Sequence, residues 1–405
     1  MKSSQPDGKV SLVLTLVAIV LLSIAPAFAQ LNLVYVESNI AATNNQNSIY
    51  AFSNNGLGVL TQVSGSPFLT GGTGVKPSTS AGANVFTSDG QLTTNSSSVF
   101  LYGVNGHSNT IAAFLINSDG TLGPVTGSPF ASNGQDPVSL SVSNAGPAGN
   151  LLIAANQAND PTQTGGTPNF TTFRLSAKGA LAAVSGSTIS EPSKSLASQA
   201  LVNPGQKFSF GILSGTGSSL TCWSIGAGGK LVQDSVVTPP TPSKKFQGIA
   251  NNLVFRTVYV GLPDVNEIAV YSYDANCKMT FVRTVTDAGM GVSHLTVNSA
   301  NTVLYSTETN SNTVTAWDIN GHQLDPTVMQ TVVLSPGGAP ANLTIDPTQK
   351  FMYVLAPNLK NVGTAGNFLH VLNVASDGTL LESATPTKIP VATTEEVQGL
   401  VAVQK

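Results

Sequence analysis

Histidine is the residue type that best suits proton transfer at neutral pH, and this 405-residue sequence contains four. His294 stands at the start of an apolar run, and His107 lies in the polar loop Asn105–Asn109. A neutral imidazole at either position can take a proton from water as a general base. We therefore consider His294 and His107 as catalytic candidates. The alternatives are a structural hydrogen bond at His294 and an ordinary solvated loop residue at His107.

Four further polar residues have side chains that suit ligand binding. Gln247 and Gln398 are each followed by Gly and an apolar residue, and Asp136 precedes the strand-like run Pro137–Val142. Glutamine amides hold ligand oxygens at a small desolvation cost, and the carboxylate of Glu308 suits a sugar hydroxyl or a cation. We predict that these residues bind a ligand. The alternative is that they hydrogen-bond one another or bound water.

The sequence lacks the motifs of the common catalytic and cofactor sites. It contains no G-x-S-x-G, no H-E-x-x-H, no phosphate-binding loop and no EF-hand loop. The spacing of its two cysteines, Cys222 and Cys277, does not fit a zinc site. We therefore expect no cofactor and no metal. A disulfide is allowed in an oxidising compartment, but we expect two free thiols, one in a strand and one in a turn.

The composition is weakly charged. Charged residues make up 9% of the sequence and the net charge is −3, whereas an average soluble protein has about 25% charged residues. No run of Lys and Arg could follow a phosphate backbone, which argues against nucleic-acid binding. Gly, Ser, Thr and Asn supply the polar share instead, and these residues favour turns and short strands over helices. The composition therefore predicts an all-β protein.

The first 29 residues have the pattern of a signal peptide. Lys2 and Lys9 precede the apolar run Val10–Ile24, and Ala27–Ala29 fits a cleavage site. The run is shorter than the roughly 20 residues of a membrane-spanning helix, which argues against the alternative of an uncleaved anchor. We expect a secreted or periplasmic protein without a stable membrane span after cleavage, in which residues 30–405 form one domain.

A repeat runs through the rest of the chain. Ser48–Phe52 aligns with Thr110–Phe114, and Val63–Phe68 aligns with Val125–Phe130, both at an offset of 62 residues. In each copy a large apolar residue is followed by a turn residue and then by another apolar residue. The seven copies are Phe52/Gly58/Leu60, Phe114/Gly120/Leu122, Phe173/Gly179/Leu181, Trp223/Gly229/Leu231, Tyr271/Cys277/Met279, Trp317/Gly321/Leu324 and Leu372/Gly378/Leu380. Each copy is typical of a β-hairpin with a glycine-containing turn.

Two more apolar runs precede each hairpin, such as Leu343–Ile345 and Phe351–Leu355. This gives four strands per unit, named a to d from the centre outward, at the roughly 50-residue spacing of propeller blades. The first unit, which begins at Leu33, lacks strand a, and the C-terminal run Val397–Val403 can supply it and remove an exposed edge. The sequence therefore predicts a seven-bladed β-propeller with four-stranded antiparallel blades, closed by the C-terminal strand.

The repeats resemble a known propeller family. Tyr353–Leu355 and Tyr305–Val314 look like the YVTN-type repeat. The turns Ser118–Leu122 and Ser376–Leu380, with Gly127–Phe130 after the first, are similar to those of propeller lactonases. That family includes the propeller type of 6-phosphogluconolactonase and a carboxymuconate cyclase. The resemblance implies the seven-bladed fold over nearly all of the mature chain and lactone hydrolysis as the activity.

Two functions follow from these observations. The first is an exported hydrolase of a sugar-type lactone, with His294 or His107 activating water at the channel mouth. There Asp136, Gln247 and Gln398 would converge, with Glu308 and His107 on the rim. The alternative is a non-catalytic secreted propeller that binds a carbohydrate, another small molecule or a protein. The low charge, the export and the loop Gly71–Asn84, which has no His and no Arg, favour the alternative.

Overall fold

The structure, a computed structural model, describes residues 1–3, 30–75, 88–146, 149–241, 244–358 and 365–405. Within these ranges every regular secondary-structure element is a β-strand. The residues from Leu31 to Lys405 form one compact unit. The predicted signal peptide, beyond its first three residues, and residues 76–84 of the Gly71–Asn84 loop lie outside the described residues. In the described part of the chain, no helix has the length and hydropathy needed to cross a membrane.

The strands of the first four blades follow one another along the chain. Blade 1 contains β1 (Asn32–Glu37), β2 (Ser48–Asn54), β3 (Leu60–Gln62) and β4 (Phe68–Leu69). Blade 2 contains β5 (Leu92–Thr94), β6 (Phe100–Asn105), β7 (Thr110–Ile116), β8 (Leu122–Pro124) and β9 (Phe130–Ala131). Blade 3 contains β10 (Pro137–Gly146), β11 (Gly149–Asn156), β12 (Asn169–Leu175), β13 (Leu181–Ala183) and β14 (Ile189–Ser190). Blade 4 contains β15 (Ser195–Val202), β16 (Phe208–Gly215), β17 (Ser219–Ile225) and β18 (Leu231–Val237).

The last three blades and the C-terminal strand complete the ring. Blade 5 contains β19 (Gln247–Asn252), β20 (Thr257–Leu262), β21 (Glu267–Tyr273) and β22 (Met279–Thr286). Blade 6 contains β23 (Val292–Val297), β24 (Val303–Glu308), β25 (Thr313–Asp318) and β26 (Thr327–Val333). Blade 7 contains β27 (Asn342–Ile345), β28 (Phe351–Ala356), β29 (Asn367–Val374), β30 (Leu380–Glu382) and β31 (Thr387–Ile389). The C-terminal β32 (Gln398–Gln404) is the inner strand of blade 1.

The predicted seven-bladed ring and its closure are confirmed. Every blade is an antiparallel sheet in the order a, b, c, d. In blade 1, β32 pairs with β1, so that Val34 lies opposite Ala402 and Leu33 lies opposite Val403. We call the face with the b–c loops and d–a connections the upper face, and the face with the a–b and c–d turns the lower face. This arrangement pairs the two ends of the domain within one sheet.

Tyrosine hydroxyls in the b strands close most junctions between blades. In blade 6, Tyr305 donates a hydrogen bond of 2.8 Å to the carbonyl of Gly378, in the c–d turn of blade 7. Gly378 has a φ of +90°, and a Cβ atom on it would lie 2.5 Å from Val303, so only glycine fits. The recurring contacts are Tyr35 with Gly120, Tyr102 with Gly179, Tyr259 with Gln323, and Tyr353, which accepts from Asn54.

A disulfide takes the place of this contact between blades 4 and 5. Phe210 stands where other b strands have tyrosine, and Cys277 stands in the frame where other turns have glycine. Cys277 is bonded to Cys222 of β17, with the two Cα atoms 6.1 Å apart. The hydroxyl of Ser235 donates to the Cys277 carbonyl at 2.7 Å, as a tyrosine does elsewhere. The expectation of two free thiols is therefore wrong, because each c–d turn packs against the preceding blade.

The repeated Val-x-Gly-Ser segment also has a structural role. In blades 1 and 2 it separates the two short pieces of the outer strand. The hydroxyl oxygens of Ser66 and Ser128 accept hydrogen bonds of 2.9 and 2.8 Å from the backbone N–H groups of Ala51 and Ala113 in the c strands. The serine hydroxyl thus accepts a hydrogen bond from a c-strand N–H group that the interrupted outer strand would leave without a partner.

Deleting residues 398–405 should destabilise the whole ring. The deletion removes the buried side chains of Leu400 and Val403 and exposes an edge of β1. We expect the melting temperature to fall by roughly 10 °C, equivalent to about 4–6 kcal/mol of lost apolar burial. A synthetic peptide of residues 396–405, added in excess, should restore part of the loss. An unchanged melting temperature after the deletion would contradict this prediction.

Replacing both Cys222 and Cys277 with serine should lower the free energy of unfolding by about 2–4 kcal/mol, because the disulfide closes a long loop in the unfolded chain. Denaturant unfolding of the oxidised protein and of the double variant measures the difference. A reducing agent should bring the wild type toward the variant and leave the variant unchanged. Equal midpoints for the oxidised wild type and the variant would count against a stabilising bond.

Candidate functional site

The inner strands surround a cavity of about 330 Å³ on the axis of the ring. Every blade contributes to its wall, including Leu400 of blade 1 and Leu140 of blade 3. The wall also extends to Pro204, in the a–b turn of blade 4 on the lower face. Its polar side chains are Thr93, Ser141, Gln199, Asn251, His294, Thr296, Asn342 and Thr344. The cavity is therefore lined by neutral polar and apolar groups together with one imidazole.

A short segment before β5, Ser88–Gln91, crosses the upper end of this cavity. The Gly90 carbonyl accepts a hydrogen bond of 2.8 Å from the N–H of Leu140 in blade 3. The side-chain oxygen Oε1 of Gln91 accepts a hydrogen bond of 3.4 Å from the side-chain amide of Asn342 in blade 7. Asp89 extends to His294 of blade 6. We call residues 88–91 the crossing segment, because they connect blade 2 to three other blades across the channel.

His294 and Asp89 form a buried pair at the cavity. Nδ1 of His294 lies 2.9 Å from Oδ1 of Asp89, and the side chains are 13% and 2% exposed. The distance is that of an ion pair, although the ring N–H is not aligned on the carboxylate as in a regular hydrogen bond. Nε2 of His294 has no hydrogen-bond partner among the described residues. A carboxylate beside Nδ1 favours the tautomer in which Nε2 can accept a proton.

Two amides accompany the imidazole on the cavity wall. Gln199 is 5% exposed, and its carbonyl oxygen has no hydrogen-bond partner among the described residues. Asn342 donates one N–H to Gln91, which leaves its second N–H available. Amide N–H groups can donate to a carbonyl oxygen and stabilise the negative charge that develops on it. The cavity therefore holds one possible base and two possible oxyanion donors.

The predicted glutamines lie near the cavity without lining it. The Gln247 amide donates a hydrogen bond of 3.0 Å to the hydroxyl of Ser293, the residue before His294. Gln398 is buried and lies opposite Glu37 in the pair of strands β32 and β1. Burial raises the pKa of Glu37 well above its usual range, although hydrogen bonds from Asn47 and Val104 oppose the shift. Gln398 thus lies beside a buried acid within blade 1.

Asp136 belongs to the loop packing between blades 2 and 3. It is fully buried with a φ of +56°, and its N–H donates a hydrogen bond of 2.8 Å to Asn109. Its carboxylate accepts a hydrogen bond of 3.3 Å from the N–H of Asn159. Asp136 is absent from the cavity wall. Neither Asp136 nor Gln398 lines the cavity wall with His294, and both side chains are buried among neighbouring loops and strands.

His107 lies on the upper face, as predicted, in a second histidine–carboxylate pair. Its Nδ1 lies 2.7 Å from Oδ2 of Asp160, which belongs to the b–c loop of blade 3, and the histidine side chain is 42% exposed. Burial alone would raise the pKa of Asp160, but hydrogen bonds from Thr162 and His107 outweigh it and lower that pKa. Gln163 donates to the His107 carbonyl at 2.5 Å. These contacts tie two neighbouring loops together.

Glu308 lies inside blade 6 and not on the rim. Its side chain is fully buried, and its carboxylate accepts hydrogen bonds of 2.8 and 3.1 Å from Thr313 and Thr315. Burial raises the pKa of Glu308 well above its usual range, and the neighbouring charge of Asp287 is a second, smaller cause of the same shift. Burial also raises the pKa of Asp287, although a hydrogen bond from the N–H of Gly289 opposes the shift. The two carboxyl groups therefore retain a proton between them at pH values where isolated acids are ionised.

The other two histidines lie outside the cavity wall. His370 is fully buried in blade 7, with Nδ1 2.7 Å from Glu382 and Nε2 2.9 Å from the Gly337 carbonyl. His322 lies in the c–d turn of blade 6 on the lower face. No group of three or more His, Cys, Asp or Glu side chains in the described residues could hold a metal ion.

Sequence reasoning missed Asp89, Gln199, Asn342 and Asp160. The sequence could have identified Gln199 and Asn342 as site residues, because each precedes an apolar residue of an a strand, as His294 precedes Leu295. The sequence gives no indication of Asp89, because its position depends on the path of the crossing segment. Asp160 lies in a long polar loop, where sequence spacing does not identify its partner.

Comparisons with known proteins confirm the predicted resemblance. Residues 257–389 match the family described as Lactonase, 7-bladed beta-propeller. A periplasmic gluconolactonase of Pseudomonas aeruginosa is similar in structure, with a TM-score of 0.67 and 15% sequence identity, over 93% of this chain and 99% of that one. A proposed 6-phosphogluconolactonase of Bacteroides fragilis gives a TM-score of 0.67 at 17% identity, over 94% and 99% of the two chains. No curated protein sequence matches the chain. The structural likeness, at this identity, shows the fold.

Changing Glu308 to Gln should make the protein more stable at neutral pH than the wild type, and about equally stable near pH 4. A raised pKa in the folded state contributes stability that is complete below the unfolded pKa and is lost as the pH rises. One retained proton gives a slope of up to about 1.4 kcal/mol per pH unit. Urea unfolding from pH 4 to pH 8 measures the slope, with Glu267→Gln as the control for loss of one charge. Parallel curves for Glu308→Gln and the wild type would contradict the shared proton.

Proposed function

We propose that this lactonase-like seven-bladed propeller is an exported hydrolase of sugar-type lactones, and that the reaction takes place in the axial cavity at His294. The structure is of the lactonase-like propeller type. The hydrolysis, its site and the export are our proposal. One gluconolactonase of this fold is described as periplasmic, which agrees with export of a lactone-acting propeller.

The observation that carries the proposal is the environment of His294. The imidazole has a carboxylate beside Nδ1, an unpartnered Nε2 among the described residues, and a cavity of about 330 Å³ next to it. General-base catalysis needs these three features, because the base must be oriented, be able to accept a proton and be able to reach the water. His107 has a comparable carboxylate but lies at the surface, where its contacts hold two loops together.

The proposed reaction uses groups on the cavity wall. A water molecule attacks the lactone carbonyl carbon while Nε2 of His294 accepts one of its protons. N–H groups of Gln199 and Asn342 stabilise the negative charge on the carbonyl oxygen. The ring C–O bond then breaks, and the proton on His294 passes to the departing ring oxygen. The product is the open-chain hydroxy acid, and Asp89 stabilises the charged imidazolium during the reaction.

Two observations support export. The N-terminal sequence has the pattern of a signal peptide. The Cys222–Cys277 disulfide is typical of proteins that fold in an oxidising compartment. We therefore infer a secreted or periplasmic location.

The alternative is a binding propeller without catalysis. The same cavity, with its amides and hydroxyl groups, suits retention of a small polar ligand. The two functions differ in one respect, because a binding protein would retain an intact lactone whereas a hydrolase would release the acid.

Changing His294 to Ala should abolish lactone hydrolysis. We expect kcat/KM for glucono-δ-lactone or a related sugar lactone to fall about 100-fold or more, because the general base is lost. Asp89→Asn keeps the shape but removes the charge, and should lower kcat at least about tenfold with little change in KM. His322→Ala, on the lower face, is the matched control and should retain wild-type activity.

Equal rates for the wild type and His294→Ala would show that His294 is not the base, and His107→Ala would then be the decisive variant. If the wild type hydrolyses none of a panel of lactones but is stabilised thermally by one of them, the binding function replaces the hydrolase.

A further inference from the structure

The lower face of blades 3 to 5 has an unusual charge distribution. Five of its six turns each carry one exposed basic residue, and these turns contain one acidic residue, Asp274. The basic residues are Lys178, Lys207, Lys230, Arg256 and Lys278. We call these five residues and the turn Leu253–Phe255 the basic surface. Asp274 accepts hydrogen bonds of 2.8 and 2.9 Å from the N–H groups of Asn276 and Lys278, so it stabilises its own turn.

The remaining turns of the lower face have the opposite charge. In blades 1, 2, 6 and 7 they carry one basic residue, Lys350, against four acidic residues, Asp119, Asp325, Asp346 and Asp377. Asp346 is buried and Asp325 pairs with Arg283, so the acidic half of this face is weaker than the basic half. A field of one sign on one side of a surface favours a partner of the opposite charge.

The basic surface includes an apolar turn. Leu253, Val254 and Phe255 form the a–b turn of blade 5 and are 36%, 64% and 49% exposed. The corresponding turn positions of blades 2, 4, 6 and 7 contain polar residues, proline, glycine and alanine but no large apolar residue: Ser96–Ser98, Pro204–Gln206, Ser299–Asn301 and Pro347–Gln349. Three consecutive exposed apolar residues are unfavourable in water unless they contact a partner.

An asparagine side chain caps the apolar turn of blade 5, as one does in blade 4. The Asn252 side chain accepts a hydrogen bond of 3.3 Å from the N–H of Phe255, and Asn203 caps the equivalent turn of blade 4 in a similar way. Both turns contain a residue with positive φ, Arg256 at +49° and Gln206 at +54°. The two turns differ by one position, because the positive-φ residue is the third of the four residues after the capping asparagine in blade 4 and the fourth in blade 5, and Leu253, Val254 and Phe255 stay exposed in the turn of blade 5.

A cleft of about 200 Å³ separates the a–b turns of blades 4 and 5, beside the apolar turn. Lys207, Arg256, Phe208, Tyr273 and Leu253 are among the residues that line it. The Lys207 ammonium donates to the Ala275 carbonyl at 3.0 Å and lies 4.9 Å from the centre of the Phe208 ring. The charge of Lys207 is therefore held at the cleft, where it can meet an anionic group.

We propose that the basic surface docks on an anionic phospholipid surface. The turn Leu253–Phe255 enters the interfacial region of the bilayer, and the five basic residues bind lipid phosphates around it. Short apolar segments with flanking cations bind membranes in this way, reversibly and in proportion to the anionic lipid content. An exposed apolar turn suits a soft surface that it can penetrate, whereas an extended acidic peptide would need a groove lined along its length. This inference is independent of the proposed hydrolysis.

The test is co-sedimentation of the purified protein with vesicles. One set contains equal parts of phosphatidylglycerol and phosphatidylcholine, and the other contains phosphatidylcholine alone. We expect binding to the anionic vesicles, strong weakening in 0.5 M salt, and little binding to the neutral vesicles. Val254→Ser/Phe255→Ser should weaken binding at least about tenfold. Lys207→Gln/Arg256→Gln should weaken it about 25-fold, since each cation contributes roughly a fivefold factor.

A matched control comes from the same face. Leu57 and Val59, in the c–d turn of blade 1, are 79% and 55% exposed and have no basic residue in their turn. The variant Leu57→Ser/Val59→Ser should bind like the wild type. Three results would overturn the proposal: no binding to anionic vesicles, equal binding to neutral vesicles, or equal losses in the control and in Val254→Ser/Phe255→Ser. Binding to polyglutamate without vesicle binding would assign the surface to an acidic protein instead.

Discussion

The structure depends on one steric constraint, which is the close approach of most c–d turns to the second strand of the preceding blade. At Gly120 and Gly378 a Cβ atom would lie 2.5 Å from the neighbouring blade. Backbone can approach a packed strand this closely only where the side chain is absent. The neighbouring tyrosine then donates to the carbonyl of the turn glycine, as Tyr305 does to Gly378. Seven blades can fan around an axis because these junctions fill the gaps between their outer parts.

This constraint explains why the sequence predicted the fold so fully. Glycine and tyrosine recur because most junctions use the same backbone freedom and the same hydroxyl, so the sequence repeat reflects contacts between blades. The C-terminal strand was predictable as well, since the first unit lacked an inner strand. The disulfide was missed although its signal was present. Cys277 stands at the frame position of the turn glycine, so its side chain faces the preceding blade, where Cys222 lies.

The site was less predictable, because the direction of a side chain depends on more than its place at a strand end. Successive residues of a strand face opposite sides, so His294 faces the cavity while its neighbour Ser293 receives the Gln247 amide. Polar residues at blade ends also satisfy buried loop groups, as Asp136 does, and so do not face the channel. The position of Asp89 depends on the path of the crossing segment, which no local sequence pattern predicts.

The Asp89–His294 pair in the cavity depends more strongly on closure of the ring than the His107–Asp160 pair at the surface does. Asp89 and His294 belong to blades 2 and 6, so three junctions separate them along the shorter way around the ring, and one of these junctions is closed by Tyr353 and Asn54. Their 2.9 Å separation therefore requires the strand pairing in blade 1 that joins the two ends of the domain. His107 and Asp160 span a single junction between adjacent loops. Opening of the ring at its closure would separate the cavity pair while leaving the surface pair in place, so the geometry at His294 is a direct consequence of a closed propeller.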